Sequence, residues 1–320
     1  MSSAHARTHY NRAMNVRLIP VLLLGLLPVT TMGQETFIQV LGIAQDAGYP
    51  QTNCYRPHCM RAWEDRDEKR TASSIAVIDE TNKTKYLFDA TPDMREQLYE
   101  LHRIAPDGEF SLDGVFLTHA HMGHYTGLMH FGREAAGTSK VPVYAMPRMY
   151  DYLSTNGPWD QLVRLQNIEL LRLVDAKPVK FGATVTVTPI QVPHRDEYSE
   201  TVGYRIEGPN KSAVFIPDID KWEMWTTDIR EVVRSVDYAL LDATFFRDGE
   251  LGDRDMSEIK HPFVAESMDL FDSLNDDEKA RVIFIHMNHT NPLLIDGSRE
   301  RAEVERRGFR YATEGMRLKL

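Results

Sequence analysis

The chain has 320 residues, of which 42% are hydrophobic, so it can bury a large core in one domain or two smaller ones. Its formal net charge of −10 excludes a surface built to coat nucleic acid, since neutralising phosphates requires an excess of lysine and arginine. We therefore expect a small-molecule substrate and no nucleic-acid partner.

The N-terminal segment has the pattern of an export signal. Arg12 and Arg17 precede the apolar run LIPVLLLGLLPV at 18–29, and the small and polar residues TTMGQ follow it. A run of this length between such flanks is typical of a secretory signal and too short to span a bilayer. We predict that residues 1–33 are a cleaved signal peptide, that residues 34–320 form a single domain, and that the protein is periplasmic or secreted with no membrane span. A disordered tail or a membrane-held anchor is the alternative.

The rest of the chain reads as many strands and fewer helices. The apolar runs predict strands at 36–43, 73–79, 85–90, 114–119, 141–146, 168–174, 183–192, 201–207, 212–218, 237–243 and 281–287. Helical spacing of apolar residues predicts helices at 93–104, 122–134, 220–234, 262–275 and 297–306. Early hairpins followed by strand–helix alternation predict an α/β (α+β) protein in which helices cover two sheets.

Histidines and aspartates follow several of these strands. The stretch HAHMGH at 119–124 has three histidines, and PHRD, FIPD and IHMNH each end a later strand; the candidate metal ligands are His119, His121, His124, His194, Asp218 and His286. Imidazole and carboxylate groups that converge from rigid strand ends suit a metal ion. One histidine at a strand end is usually structural, but the ordered set is a more specific signal.

This ordered set resembles the metallo-β-lactamase superfamily, from Phe37 to the C-terminus. The resemblance implies a four-layer αββα sandwich of two mixed sheets flanked by helices, with one or two metal ions at one edge. It implies that His119, His121 and His194 hold the first ion, that Asp218 bridges, and that His124 and His286 hold the second. Asp89, in LFDATPD, matches the aspartate that orients the histidine loop in the family.

Gly123 departs from the family pattern, which has an aspartate before the last histidine of the motif. Without this ligand, the second site retains His124, His286 and Asp218. We therefore predict an active centre with a weakened second position, holding one or two divalent ions, zinc first and manganese or iron as alternatives. By the same reasoning, Gly123→Asp should restore the missing carboxylate.

A cysteine-bearing loop suggests a separate metal site. FIQVLGIAQDAGYPQTNC, ATPDMREQL and IHMNHTNPLL look like the pyrroloquinoline-quinone biosynthesis protein B group, and phosphonate-pathway cyclic phosphodiesterases are similar in this loop. Such relatives have a three-cysteine zinc knuckle with a distant histidine. Here Cys54, Cys59 and His289 match, an arginine replaces the middle cysteine, and His58 is the candidate fourth ligand. A Cys54–Cys59 disulfide and two free thiols are the alternatives.

A further histidine is a candidate for catalysis. The order LLDATFF, then KHPFVAESMDLF, resembles the tRNA 3′-processing endonucleases of the superfamily. That resemblance implies that His261 donates a proton to a leaving oxygen or contacts a phosphoryl oxygen, and that Asp242 orients it. Asp218 is the third candidate catalytic residue. Alternatively, His261 caps the helix predicted from 262.

These patterns favour a metal-dependent hydrolase that acts on a phosphodiester, an ester or a lactone. A metal- and oxygen-dependent tailoring enzyme, related to those of quinone-cofactor biosynthesis, is the second interpretation. A catalytically silent metal-binding protein is the third.

If residues 1–33 are a cleaved signal, protein isolated from its native host should begin near Gln34, as N-terminal sequencing or intact mass would show. An uncleaved N-terminus on cytoplasmic protein would contradict both the signal and the export prediction.

Overall fold

Two seven-stranded sheets make up the centre of the protein, in a computed structural model that describes residues 35–320. The first sheet contains β1 Thr36–Gly42, β2 Ser74–Asp79, β3 Thr84–Phe88, β4 Ser111–Phe116, β5 Val141–Ala145, β6 Ile168–Arg172 and β14 Arg317–Lys319. The second contains β7 Val179–Phe181, β8 Val185–Gln191, β9 Val202–Glu207, β10 Ser212–Ile216, β11 Tyr238–Asp242, β12 Val282–Ile285 and β13 Arg310–Tyr311.

Both sheets are mixed and are built in the same way. The order β14-β1-β2-β3-β4-β5-β6 starts with antiparallel pairs and becomes parallel from β3 onward. The order β13-β12-β11-β10-β9-β8-β7 is parallel from β13 to β10 and antiparallel from β10 to β7. In consequence, β1, β3 and β4 end at one edge of their sheet, and β8, β10, β11 and β12 end at one edge of theirs.

Strands buried on both faces explain the continuous apolar runs of the sequence. In β1, Ile38 and Val40 belong to the core that contains residues of both sheets, whereas Phe37 and Leu41 belong to the layer between the first sheet and its helices. Side chains alternate along a strand, so a polar residue on either face of β1 would be buried in one of the two apolar cores.

Aromatic rings fill the space between the sheets. Phe116 stacks on Phe88 and Tyr144 with ring centroids 4.9 and 4.6 Å apart, and Tyr204 of the second sheet lies 5.6 Å from Phe116. The buried Tyr204 hydroxyl donates to the Leu117 carbonyl at 2.5 Å, which satisfies it and fixes the chain just before the histidine motif.

Helices flank both sheets, and the longer ones cover their outer faces. They are α1 Pro57–Glu64, α2 Met94–Ile104, α3 Met122–Tyr125, α4 Pro147–Thr155, α5 Trp159–Arg164, α6 Ile229–Arg234, α7 Val264–Leu270, α8 Asp276–Lys279 and α9 Arg299–Arg306. Leu101, Leu153 and Leu162 pack on the first sheet, and Val264 and Val304 belong to the core that includes the second. The predicted sandwich of two mixed sheets flanked by helices is confirmed.

Three predicted helices were too long, and a tertiary hydrogen bond interrupts the first of them. The 122–134 prediction becomes α3 and a 3-10 turn at Thr126–Phe131, since the Gly127 N–H donates to the Ala90 carbonyl. In 220–234 only α6 and a short 3-10 turn form, and the Asp228 side chain caps α6 by accepting from the Arg230 N–H. The 262–275 prediction becomes α7 and a 3-10 turn at Phe271–Ser273.

Several elements were missed by the sequence analysis. Helices α1 and α4 each start at a proline, Pro57 and Pro147, which is a favourable first helical residue. That signal was available in the sequence. The short α5 and α8 and the edge strands β7, β13 and β14 have no comparable apolar period, and their sheet partners define them.

The predicted signal segment, residues 1–33, lies outside the described residues. Among residues 35–320, no helix combines the length and the apolar character needed to cross a membrane.

Truncating Phe116 should leave a cavity between the sheets, because its ring is fully buried against other rings. We expect Phe116→Ala to lower the free energy of unfolding by about 3–5 kcal/mol in a denaturant titration. The matched control Tyr99→Ala removes an exposed ring and should change it by less than about 0.5 kcal/mol. Equal effects of the two substitutions would contradict this packing.

Candidate metal centre

The strand ends described above meet and place the polar side chains of the sequence motifs together. His119, His194, Asp218 and His286 come shortly after β4, β8, β10 and β12, and Asp242 is the last residue of β11. Apart from His121, whose side chain is 16% exposed, the ligand candidates of the sequence analysis are buried. Buried charged and imidazole groups need compensating partners, so the arrangement of their atoms is informative.

One cluster has the geometry of a first metal site. The Nε2 atoms of His119 and His194 and the Nδ1 atom of His121 face the Asp218 carboxylate, whose Oδ2 lies 3.3, 3.2 and 3.8 Å from them, respectively. Nitrogen and oxygen ligands about 2.0–2.1 Å from a tetrahedral zinc ion lie about 3.3–3.5 Å apart, and the His119 and His194 distances are close to this range. His121 Nδ1 is farther from Asp218, at 3.8 Å, and only 2.7 Å from His119 Nε2. The structure thus brings together the four residues that the resemblance implies for the first ion.

The opposite nitrogen of each imidazole is also held, which orients the ring. Nδ1–H of His119 donates to Thr118 Oγ1 (3.0 Å), Nε2–H of His121 to Glu197 (3.2 Å), Nδ1–H of His194 to Asp220 (3.0 Å), Nδ1–H of His124 to Asp89 (2.7 Å), and Nδ1–H of His286 to Thr244 Oγ1 (3.1 Å). The sequence analysis identified only Asp89 among these partners. Thr118 and Asp220 stand next to or near predicted ligands and could have been proposed.

Two aspartate–threonine pairs, one in each sheet, support these rings. Thr118 donates through its backbone N–H and its hydroxyl to Asp89, at 2.8 and 2.9 Å. Thr244 donates in the same way to Asp242, at 2.8 and 2.7 Å. With its hydroxyl hydrogen used in this way, each threonine oxygen accepts from a histidine, so both pairs fix the tautomer that leaves Nε2 facing the site.

A second cluster contains a residue that the sequence analysis missed. Asp46, four residues after β1, lies with His124 and His286, and one potential ligand atom from each falls within 4.8 Å of the others. Asp46 Oδ1 is 3.3 Å from His124 Nε2 and 4.0 Å from His286 Nε2. Asp218 Oδ2 lies 4.0 Å from His124 Nε2, between the two clusters. A carboxylate after another strand end was the available signal.

The structure contradicts the expectation for Gly123. A Cβ built on Gly123 would overlap the carboxylate and the Cα of Asp46 and would lie 2.8 Å from its Cβ. The volume that an aspartate side chain would occupy is therefore filled by the side chain of Asp46. Gly123→Asp would displace Asp46 before it could restore a ligand, so the predicted effect of that substitution was wrong.

The buried atoms fit a divalent ion. Within residues 35–320, eight buried side-chain nitrogen or oxygen atoms have no hydrogen-bond partner, and half of them are in this centre: Asp46 Oδ1, His124 Nε2, Asp218 Oδ1 and His286 Nε2. Burial without a partner costs free energy, and natural proteins rarely leave such atoms clustered. Neutral imidazoles and carboxylates are suitable ligands for zinc, manganese or iron.

His261 stands beside the first cluster. Its Nδ1 lies 2.9 Å from Asp242 and 3.1 Å from Asp218 Oδ1. Burial alone would lower the pKa of His261, but the two carboxylates outweigh it and raise the pKa well above its ordinary value. The first N–H groups of α7 donate to the carbonyls of Phe245 and Phe246, and Phe263 is the N-cap residue, so the alternative that His261 caps this helix is wrong.

An open cavity of about 290 Å³ lies against His194 and His261. Three cationic side chains, Arg195, Arg254 and Lys260, line it together with one acidic residue, Glu258. A small anionic molecule in this cavity would touch the metal centre on one side and the cations on the other.

The cysteine loop forms a third cluster, away from this centre. Cys54, His58, Cys59 and His289 offer ligand atoms within 4.8 Å of one another, and Cys54 Sγ is 3.5 Å from His58 Nε2. Both cysteines are free, so the structure does not contain the disulfide of the alternative interpretation. Helix α1 places His58 and Cys59 in its first turn, which lets neighbouring residues reach one cluster. The donor set Cys₂His₂ is typical of structural zinc.

If this cluster holds zinc, His289→Ala should lose one zinc equivalent and lower the melting temperature, because three ligands hold the ion less tightly. Elemental analysis and thermal denaturation measure both effects. His102→Ala, an exposed histidine on α2, is the matched control and should change neither. A Cys54–Cys59 disulfide in the mass spectrum of the purified protein would contradict the zinc cluster.

Comparison with known proteins gives this geometry a family context. Residues 84–287 match the model of the β-lactamase superfamily domain. Coenzyme PQQ synthesis protein B of Methylorubrum extorquens is 31% identical in an alignment 308 residues long, and the match covers 88% of this chain and 99% of that protein.

Solved structures agree with this match. Zn²⁺-bound PqqB from Methylobacterium extorquens superposes with a TM-score of 0.74 at 25% identity, covering 89% of this chain and all of that one. A diphosphatase of the PhnP family shares the fold, with a TM-score of 0.62 at 23% identity over 89% of this chain and 98% of that one. The chain therefore belongs to the β-lactamase superfamily of metal-binding αββα proteins and, within it, to the group related to coenzyme PQQ synthesis protein B.

Proposed function

We propose that this protein is a metal-dependent hydrolase of a small anionic substrate, with a phosphodiester as the first candidate and an ester or lactone as alternatives. One observation carries the proposal: the His261 ring is hydrogen-bonded to Asp242, lies 3.1 Å from Asp218 Oδ1, and stands at the edge of a cavity that reaches His194. Such a histidine lies between the predicted metal ligands and the space where a substrate can bind.

The proposed roles follow from the contacts. A divalent ion, held by the residues of the two clusters, would supply a water molecule of lowered pKa and polarise the substrate. Asp218 lies between the clusters and directs its second oxygen toward His261. With Nδ1 hydrogen-bonded to Asp242, His261 can present Nε2 to the substrate and donate a proton to the leaving oxygen.

The charges around the cavity support an anionic substrate. Arg195, Arg254 and Lys260 outnumber Glu258, although the whole chain is acidic. Local cations near a metal centre can bind and orient a phosphate or carboxylate group that the remainder of the surface would repel. The small size of the cavity, about 290 Å³, favours a small molecule over a nucleic acid. The signal-like residues 1–33 support action outside the cytoplasm.

A second candidate is a metal- and oxygen-dependent tailoring reaction. The similarity to coenzyme PQQ synthesis protein B over nearly the whole chain supports it. Iron in the purified protein, together with turnover that requires dioxygen, would favour this candidate. Hydrolysis that proceeds equally under anaerobic conditions with zinc or manganese would favour the first. A protein with full metal occupancy and no turnover would be the silent metal-binding protein.

A proton donor should be needed most when the leaving group is a poor one. We expect His261→Ala to slow hydrolysis of a diester with an alkoxide leaving group by about 10²- to 10⁴-fold. The effect on bis-p-nitrophenyl phosphate should be much smaller, because nitrophenolate leaves without protonation. Steady-state kinetics of both substrates give the comparison.

Metal analysis of the same variant is the control, and occupancy should stay at the wild-type level because His261 is not among the proposed ligands. His130→Ala, on the 3-10 turn after α3, should leave both rates unchanged. Equal slowing of both substrates by His261→Ala would contradict a proton-donating role.

A further inference from the structure

Two loops compete for one volume beside the second cluster. The loop after β1 carries Asp46, and the turn that starts α3 carries Gly123. The Asp46 carboxylate lies where any side chain at position 123 would have to begin. The space left by the missing side chain of Gly123 is thus occupied by the side chain of Asp46, which is distant in the sequence.

The backbone on either side of Asp46 is fixed. The Gln45 N–H donates to the Met287 carbonyl, and the Met287 N–H donates to the Ile43 carbonyl, both at 2.8 Å. These bonds tie the loop directly to the residue that follows His286. Two residues beyond Asp46, the Gly48 N–H donates to the Gln45 carbonyl and closes a turn.

The conformation of Asp46 itself is unusual. Its φ is +31°, in the left-handed region that side chains other than those of glycine, asparagine and aspartate rarely adopt. Such backbone strain persists where surrounding structure enforces it, and it concentrates at functional sites. Here it turns the carboxylate inward, toward His124 and His286.

The inward oxygen has no partner among the described residues. The Asp46 side chain as a whole is 42% exposed, but Oδ1 is buried, together with the unpartnered Nε2 atoms of His124 and His286. Although Oδ1 is 3.3 Å from His124 Nε2, their geometry makes no hydrogen bond. In a simple ion pair, the carboxylate oxygen and the imidazole nitrogen would face each other. In a metal site, Asp46 Oδ1 and the two Nε2 atoms would instead face the same ion.

We infer that Asp46 is the carboxylate ligand of a second divalent ion, held together with His124, His286 and Asp218. The carboxylate comes from the loop after β1 and replaces the side chain that Gly123 lacks. The second position is therefore complete, in contrast to the weakened site expected from the sequence. This inference rests on the metal centre of the proposed function and does not depend on the substrate.

The test is a zinc titration of the metal-free full-length protein and of two variants. Asp46→Gly removes the carboxylate and tolerates the positive φ, and Asp46→Asn keeps the shape without the charge. Loss of a hydrogen-bonded partner behind a ligand costs about 10- to 100-fold in affinity, so loss of a ligand itself should cost at least about 100-fold. Calorimetry should show one tightly bound zinc fewer in Asp46→Gly than in wild type. The affinity of Asp46→Asn for that zinc should lie between those of the other two proteins.

Two further variants make the comparison specific. His286→Ala removes a ligand of the same ion and should lose the same equivalent, whereas Asp253→Asn changes an exposed aspartate outside the clusters and should bind zinc as wild type does. The cysteine cluster is intact in every variant, so its zinc cancels in each difference. Circular dichroism and melting curves in excess zinc establish that the variants are folded.

Wild-type stoichiometry and affinity in folded Asp46→Gly would overturn the inference. Because the ions are counted without substrate, a protein that needs Asp46 for its second ion but hydrolyses no diester, ester or lactone would contradict the proposed function and leave this inference standing. Conversely, hydrolysis by Asp46→Gly at the wild-type rate, with both ions bound, would retain the function and remove Asp46 from the site.

Discussion

The structure depends on the need to orient buried imidazoles at the ends of strands. His119, His124 and His286 are nearly or fully buried, where an unpaired polar group is costly. Each sheet meets this need with an aspartate that accepts from the N–H and the hydroxyl of a nearby threonine, Asp89 with Thr118 and Asp242 with Thr244. The strained positive φ of Asp89 and His286, +65° and +68°, shows how firmly the two sheets hold these positions.

The same two segments carry both the metal centre and the cysteine cluster. The chain after β1 supplies Asp46 and then Cys54 and Cys59, and the chain after β12 supplies His286 and then His289. The hydrogen bonds between residues 43–45 and Met287 join these segments at their start, and the Tyr49 hydroxyl donates to the His58 carbonyl farther along. Any ion in the cysteine cluster would therefore brace the backbone from which Asp46 and His286 project.

Gly123 and Asp46 show that a ligand site is defined by the space that a side chain fills as well as by its position in a motif. When the histidine motif is considered alone, Gly123 indicates the loss of a metal ligand. In three dimensions, it is the condition that allows the β1 loop to approach, because even a Cβ at 123 would overlap Asp46. The same substitution can therefore indicate a degraded site or a rebuilt one, and the neighbouring loop distinguishes them.

The sequence by itself determined the two-sheet fold and most of the groups that meet at the metal centre. Continuous apolar runs identify strands buried on both faces, and polar residues at their ends must lie at a sheet edge, so His119, His194, Asp218 and His286 could be found from order alone. The helix predicted at 122–134 was too long because the tertiary hydrogen bond from Gly127 to Ala90 competes with the helical ones. Asp46 was decided only by the tertiary structure, because it is 78 or more positions away from the histidines that it approaches, and only folding reveals which loop fills the space beside Gly123.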